Sequence, residues 1–120
     1  MEVSKRVLVV DDDQGILDSF EVLLGDQCDL LKAESGREAL RILETHTPRL
    51  MFLDIKMPGI SGIDVLKKLR SDRKRVDVVV ITASSQDGIE EEAKSLGAVD
   101  YLKKPFDAFE VERIASQYLN

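Results

Sequence analysis

Acids, a hydroxyl and a lysine stand at four places where an apolar run ends. Asp11-Asp12-Asp13 follows Val7-Leu8-Val9-Val10, Asp54 closes Leu50-Met51-Phe52-Leu53, Thr82 follows Val78-Val79-Val80-Ile81, and Lys104 follows Tyr101-Leu102-Lys103. A lone acid after a strand commonly caps the next helix. Several acids brought together are different, because carboxylates repel one another unless a hard cation neutralises them. Mg²⁺ suits such a set, with Mn²⁺ as the alternative, since it takes near-octahedral oxygen donors and keeps several waters. An aspartate beside a metal, a lysine and a hydroxyl can act as a nucleophile toward phosphorus. Phosphoryl transfer is mostly positioning and charge stabilisation, so Lys104 and the Thr82 hydroxyl would contact the transferred group's oxygens, and Ala83 leaves space beside them.

Other ligand chemistries lack their residues. Cys28 is the single cysteine and His46 the single histidine, which excludes a disulfide and a Cys/His zinc site. Cys28 reads as a buried, inert thiol and His46 as the end of a helix. An EF-hand loop starting at Asp11 fails because its twelfth position is Val22 rather than a bidentate acid. Neither a P-loop nor G-x-G-x-x-G is present.

These residues need elements to position them. Arg6–Val10, Cys28–Leu31, Leu50–Asp54, Val76–Ile81 and Val99–Lys103 read as strands, mostly short apolar runs of the kind buried on both faces. Between them, Ile16, Leu17, Phe20, Leu23 and Leu24 give a helical face over Gln14–Leu24 that stops at Gly25. Ser35 with Glu38 forms a capping box for a helix carrying Ala39, Leu40, Ile42 and Leu43, which Thr47-Pro48 ends. Ser61 opens a third helix with Ile63, Leu66 and Leu69 inward. Gln86 to Leu96 has a thin stripe of Ile89, Ala93 and Leu96 ending at Gly97, and Asp107 starts a helix with Phe109, Ile114, Ala115, Tyr118 and Leu119.

Strand and helix alternate five times, which predicts an α/β, doubly wound, five-stranded parallel sheet with helices on both faces. The order 2-1-3-4-5 suits this length and sets strands 1, 3, 4 and 5 side by side. Their carboxyl ends then bring Asp11, Asp12, Asp54, Thr82 and Lys104 into one crevice.

The 120 residues fit one domain, residues 1–120, with no room for an output module. A charge of -6, from 17 basic and 23 acidic residues, disfavours nucleic acid and anionic membranes as partners. Met1–Arg6 has no apolar segment for a leader or anchor, so a cytoplasmic monomer is expected.

The motifs Val9-Val10-Asp11-Asp12, Leu53-Asp54-Ile55-Lys56-Met57-Pro58-Gly59, Ile81-Thr82-Ala83 and Tyr101-Leu102-Lys103-Lys104-Pro105-Phe106 together resemble the receiver domain of two-component response regulators, over essentially the whole chain. The resemblance implies a flavodoxin-like fold and a phospho-acceptor, Asp54, served by a sensor histidine kinase or a histidine phosphotransfer protein. It implies Mg²⁺ held directly by Asp12, Asp54 and the Lys56 carbonyl, with Asp11 acting through water. Lys104 would pair with the phosphoryl group, and the Lys104–Pro105 peptide would be cis. Thr82 and Tyr101 would switch on phosphorylation, altering the surface of the fourth helix, fifth strand and fifth helix for a downstream protein target. Lys56 and Ser84 occupy the family's rate-tuning places, and helix 1 with the loops around Asp54 would face the kinase.

Two competing readings follow from the same residues. Asp11-x-Asp13 resembles the nucleophile motif of haloacid-dehalogenase-type Mg²⁺ phosphatases, although Gly15 stands where Thr or Val is usual and no cap domain fits this length. A phosphate-independent interaction module would usually lack an acid or the lysine, and all are present.

Overall fold

A computed structural model of the chain describes residues 5–83 and 88–119. Its elements run β1 (Arg6–Val10), α1 (Gln14–Leu24), β2 (Asp29–Ala33), α2 (Gly36–Thr45), β3 (Leu50–Asp54), α3 (Gly62–Ser71), β4 (Asp77–Thr82), α4 (Ile89–Ser95), β5 (Asp100–Lys103) and α5 (Ala108–Leu119). The five strands form one parallel sheet in the order β2-β1-β3-β4-β5, the order expected from the sequence.

Alternation along the central strands divides the core. Leu8, Val10, Met51, Leu53, Val78 and Val80 face Ala39 and Leu43 of α2, Val65, Leu66 and Leu69 of α3, and Ala93 of α4. Their neighbours Val7, Val9, Leu50, Phe52, Val79 and Ile81 face Leu17, Phe20 and Leu24 of α1 and Val111, Ile114 and Leu119 of α5. Each fully buried aliphatic or aromatic side chain contributes about 1.5–3 kcal/mol relative to exposure, so the run Leu50 to Leu53, buried on both faces, anchors the sheet.

Helix starts follow the side chains that cap them. Asp13 accepts from the Gly15 N–H at 2.8 Å, Ser35 from Glu38 at 3.1 Å, and Asp107 from Glu110 at 2.9 Å. Ser61 and Asp64 form a reciprocal capping box at α3. At α2 the box is displaced by one residue, because the Glu38 carboxylate takes the Glu34 N–H rather than that of Ser35.

Local expectations change at β2, Cys28 and α5. β2 begins at Asp29 and runs to Ala33, so Cys28 precedes the strand, half-buried, with its thiol donating to the Leu24 carbonyl. Burial and the charges of Asp29 and Glu21 push that thiol's pKa up, which keeps it protonated. The described part of α4 is Ile89–Ser95, and the expected start at Gln86 lies outside the described residues. Phe109 is 81% exposed, and Val111 takes the inward place on α5.

α3 presses its first residue against the end of β3. A Cβ on Gly62 would strike the Asp54 carbonyl and stand 2.7 Å from Ile55 Cα. Alanine normally strengthens a helix relative to glycine by up to about 1 kcal/mol, yet here the clash with backbone dominates. Gly62→Ala should therefore lose roughly 1–3 kcal/mol in urea denaturation. An unchanged or raised midpoint would show that α3 can back away from Asp54.

Candidate functional site

Register decides which strand ends meet. Val10 lies beside Leu53, Asp54 beside Ile81, and Thr82 beside Lys103. The residues that follow β1 and β5 therefore flank the ends of β3 and β4. The Ile55 N–H donates to the Ile81 carbonyl at 3.1 Å and the Lys104 N–H to the Thr82 carbonyl at 2.8 Å, extending the pairing to the site itself.

Among the described residues, the buried polar side chains are Asp11 (0% exposed), Asp54 (5%) and Thr82 (7%). All lie at this edge of an otherwise apolar interior. Carboxylate oxygens of Asp11, Asp12 and Asp54 fall within 4.8 Å of one another, with Asp12 open to solvent. Lys104 Nζ lies 3.0 Å from Asp11 Oδ2 and 3.5 Å from Asp54 Oδ2.

Each carboxylate is partly held. Asp11 Oδ1 accepts from the Asp13 N–H at 2.9 Å, and Asp54 Oδ1 from the Lys56 N–H at 3.1 Å. Asp11 Oδ2 is buried and has no hydrogen bond; the ammonium is close enough for an ion pair but not aligned as a donor. A buried carboxylate oxygen without a donor is costly. An all-oxygen set of three acids, one atom unsatisfied and one residue facing water, fits a hydrated divalent cation such as Mg²⁺.

The electrostatics show the strain of leaving these charges to Lys104 alone. Burial, then the charge of Asp11, push the Asp54 pKa up to about 6, while Lys104 and the Lys56 N–H pull it back. For Lys104, burial disfavours the ammonium, but close contact with Asp11 and the charges of Asp54 and Asp11 outweigh it, leaving its pKa raised.

The remaining expected residues surround this centre. The Lys56 side chain is exposed, the Lys104–Pro105 peptide is cis, and Ser84 lies outside the described residues. Ala83 and Lys104 border an opening of about 360 Å³ with Ile16, Ser19 and Phe106, so small residues do leave space beside the lysine. Tyr101 is half-buried, and its hydroxyl donates to the Glu90 carbonyl of α4 at 2.7 Å. Sequence reading did not find the direct Lys104–Asp11 ion pair or the contact of Gly62 behind Asp54. A pair 93 residues apart leaves no local signal, whereas the Ser61-Gly62 dipeptide at the helix start was a usable one.

Residues 7–115 match the sequence profile of the response regulator receiver domain. Sporulation initiation phosphotransferase F of Bacillus subtilis is 33% identical over 118 residues, covering 98% of this chain and 95% of that protein. The alkaline phosphatase synthesis regulator PhoP of the same organism is 36% identical, and there the chain covers 46% of the relative's length. Among solved structures, Vibrio cholerae chemotaxis protein CheY4 superposes with a TM-score of 0.89 at 25% identity, covering 98% of this chain and 100% of that one. A CheY-like receiver domain from Methanospirillum hungatei gives 0.91 at 27% identity, with 98% and 94% covered.

The folded pKa of Asp54 lies above its unfolded value, so its proton favours folding at low pH and that contribution is lost as pH rises from about 4 through 6. Asp54→Asn should thus stabilise the metal-free protein by about 1–3 kcal/mol at pH 7, and by much less near pH 4. Mg²⁺ at ten times its dissociation constant should stabilise the wild type by about 1.4 kcal/mol. Thermal melts in a chelator and in Mg²⁺ check both; equal melting temperatures would count against a cation site.

Proposed function

The chain belongs to the response regulator receiver domain family, and from that premise we propose that Asp54 takes a phosphoryl group from a phosphohistidine of a partner. What carries the assignment is the burial of Asp11, Asp54 and Thr82, with Lys104 beside them, at one edge of an apolar sheet. Such a group is expensive to maintain for structure alone. In the transfer, an Asp54 oxygen bonds to phosphorus as the phosphorus–nitrogen bond breaks, and the imidazole leaves with the electron pair and is protonated.

Each neighbour has a part in this. Asp11, Asp12 and Asp54, with the Lys56 carbonyl, would hold Mg²⁺, which when bound keeps Asp54 ionised and neutralises charge on the transferred oxygens. The Lys56 N–H on Asp54 Oδ1 orients the carboxylate so that Oδ2 faces the incoming phosphorus. Lys104 already stands at Oδ2, so it meets the new oxygens while keeping Asp11 as its second partner. The Thr82 hydroxyl would take another. The same residues would then serve hydrolysis of the aspartyl-phosphate, which makes the protein a self-modifying regulator rather than a classical enzyme.

The haloacid-dehalogenase reading does not suit this geometry. Asp11 is fully buried and paired with Lys104, and Asp13 is engaged in capping α1.

For output, Thr82 and Tyr101 would report the modification. Tyr101 ties β5 to the first turn of α4 through the Glu90 carbonyl, and α4 buries Ala93 alone of its own residues. A coupling of about 1–3 kcal/mol suffices to shift so lightly held an element. The α4-β5-α5 surface would then recognise a downstream protein. The partners on the input side would be a sensor histidine kinase or histidine phosphotransfer protein, meeting a protein monomer in the cytoplasm at α1 and the loops around Asp54. No helix among the described residues is long and apolar enough to cross a membrane.

Intact-mass spectrometry after incubation with acetyl phosphate tests the acceptor. One phosphoryl group should appear on the wild type in Mg²⁺, and none on Asp54→Asn or in chelator. Repeated absence of an adduct, with beryllofluoride binding also absent, would remove the phospho-acceptor role. The exposed Lys56 chain should shield the phosphoryl group from water, so phosphorylated Lys56→Ala should lose its phosphate faster than wild type. An equal lifetime would show that the chain gives no shelter.

A further inference from the structure

Residues 55–61, Ile-Lys-Met-Pro-Gly-Ile-Ser, carry the chain from the end of β3 to the start of α3. Both ends of this segment are tied. The Ile55 N–H donates to the Ile81 carbonyl at 3.1 Å, and the Gly62 N–H returns to the Ile55 carbonyl at 3.0 Å, closing a loop. Ile55 and Met57 are buried and Ile60 packs on the same core, while Lys56, Pro58 and Gly59 face solvent. The Lys56 N–H meets Asp54 Oδ1 at 3.1 Å, and the Lys56 carbonyl is the main-chain ligand assigned above to the cation.

α2 bears on this loop. Gly36, its first residue, is buried, and a Cβ there would stand 2.5 Å from the Ile60 carbonyl oxygen and 2.9 Å from Ile60 Cβ and Cγ2. No left-handed angle calls for glycine at this position, since its φ is not positive. The contact does, because α2 lies directly on the loop's backbone with no room for a side chain between them. The same device recurs at Gly62, whose missing Cβ lets α3 reach the Asp54 carbonyl. The loop is thus held between two helix starts, one at Ile60 and one at its root.

A larger residue at 36 would displace the loop rather than α2. The helix is fixed by its Ser35 cap at 3.1 Å and by buried Ala39 and Leu43. Toward α4 the loop borders an opening of about 480 Å³ that reaches Pro58, Ile63 and Ile89, so it has space to move into. With Ile55 and Gly62 pinned, the displacement falls on residues 56–59, and therefore on both main-chain groups of Lys56. Mg²⁺ tolerates little departure from octahedral geometry. A site suffers when its ligands stray by about 0.5 Å.

We propose that Gly36 is a positioning residue for the cation site: by seating α2 on Ile60 it holds the Lys56 main chain where Asp54 and the cation need it. This role depends on Asp11, Asp12 and Asp54 binding a divalent cation, as proposed above, and it adds to that site a residue of α2 that is not itself a ligand. Support of this kind, one contact removed from the metal, commonly governs affinity.

The test is amide NMR during titration with Mg²⁺, which gives the dissociation constant and follows the Lys56 N–H that bonds to Asp54. In chelator, Gly36→Ala should shift the Lys56 amide resonance away from its wild-type position, and in the titration the dissociation constant should rise about tenfold. Ile60→Ala removes the half-buried side chain that Gly36 meets; it should raise the constant several-fold, and it carries the test if Gly36→Ala does not fold. Leu119→Ala opens a gap in the core on the other face of the sheet. That variant should melt lower than wild type with its Lys56 amide and its Mg²⁺ affinity unchanged. An unchanged constant in whichever of Gly36→Ala and Ile60→Ala folds would overturn the proposal. So would an equal loss of affinity in Leu119→Ala, since general loosening would then be the cause. No Mg²⁺ binding by the wild type would overturn the cation site itself, and this role with it.

Discussion

Two carboxylates and one ammonium share a pocket from which water is largely excluded, and the rest of the structure depends on that imbalance. Asp11 and Asp54 bring two negative charges to the inner end of the sheet, and Lys104 supplies one positive charge to both. Attraction in such surroundings is strong, but so are the repulsion between the acids and the cost of burying them. The result is a carboxyl at Asp54 with its pKa near 6 and an Asp11 oxygen without a hydrogen bond. A centre left one positive charge short is receptive to a cation.

Holding like charges together requires a stiff frame. The run Leu50 to Leu53 is buried on both faces, Ile55 continues the pairing with β4, and Gly62 lets α3 lie directly against the backbone behind Asp54. On the other face Phe20 packs against Phe52 and Phe106, with ring centroids 4.8 and 5.6 Å apart, tying α1 and the segment after Lys104 to β3. These contacts keep the acids and the lysine from relaxing away from one another.

Stiffness falls off toward α4. Its described part is short, has no side-chain hydrogen bond capping its amino end among the described residues, and lies between left-handed glycines at 88 and 97. Polar ties hold it: Tyr101 to its first turn, and Arg70 to its last. An element secured by a few hydrogen bonds of about 1 kcal/mol each, rather than by a wide apolar face, can be repositioned by a change of that size at Asp54. The contrast between a stiff edge at Asp54 and a lightly held helix is what the proposed switch rests on.

The sequence by itself determined the strands, the helices, their order and the identity of the acid, hydroxyl and lysine positions. Each of these is a local property: apolar runs, caps such as Ser35 and Ser61, and turn residues act over a few neighbours, and short parallel strands with right-handed crossovers leave few arrangements. It put Phe109 on the inward face and passed over Val111 because a helix that packs on one edge of a sheet chooses its inward face by contacts with α1 and β3, not by hydropathy alone. Tertiary structure alone decided that Lys104 bridges Asp11 and Asp54, that one oxygen of Asp11 is left without a donor, and that Tyr101 reaches the Glu90 carbonyl. Those facts depend on distances between residues far apart in the chain, and on how completely the packed sheet excludes water between them, which no local pattern encodes.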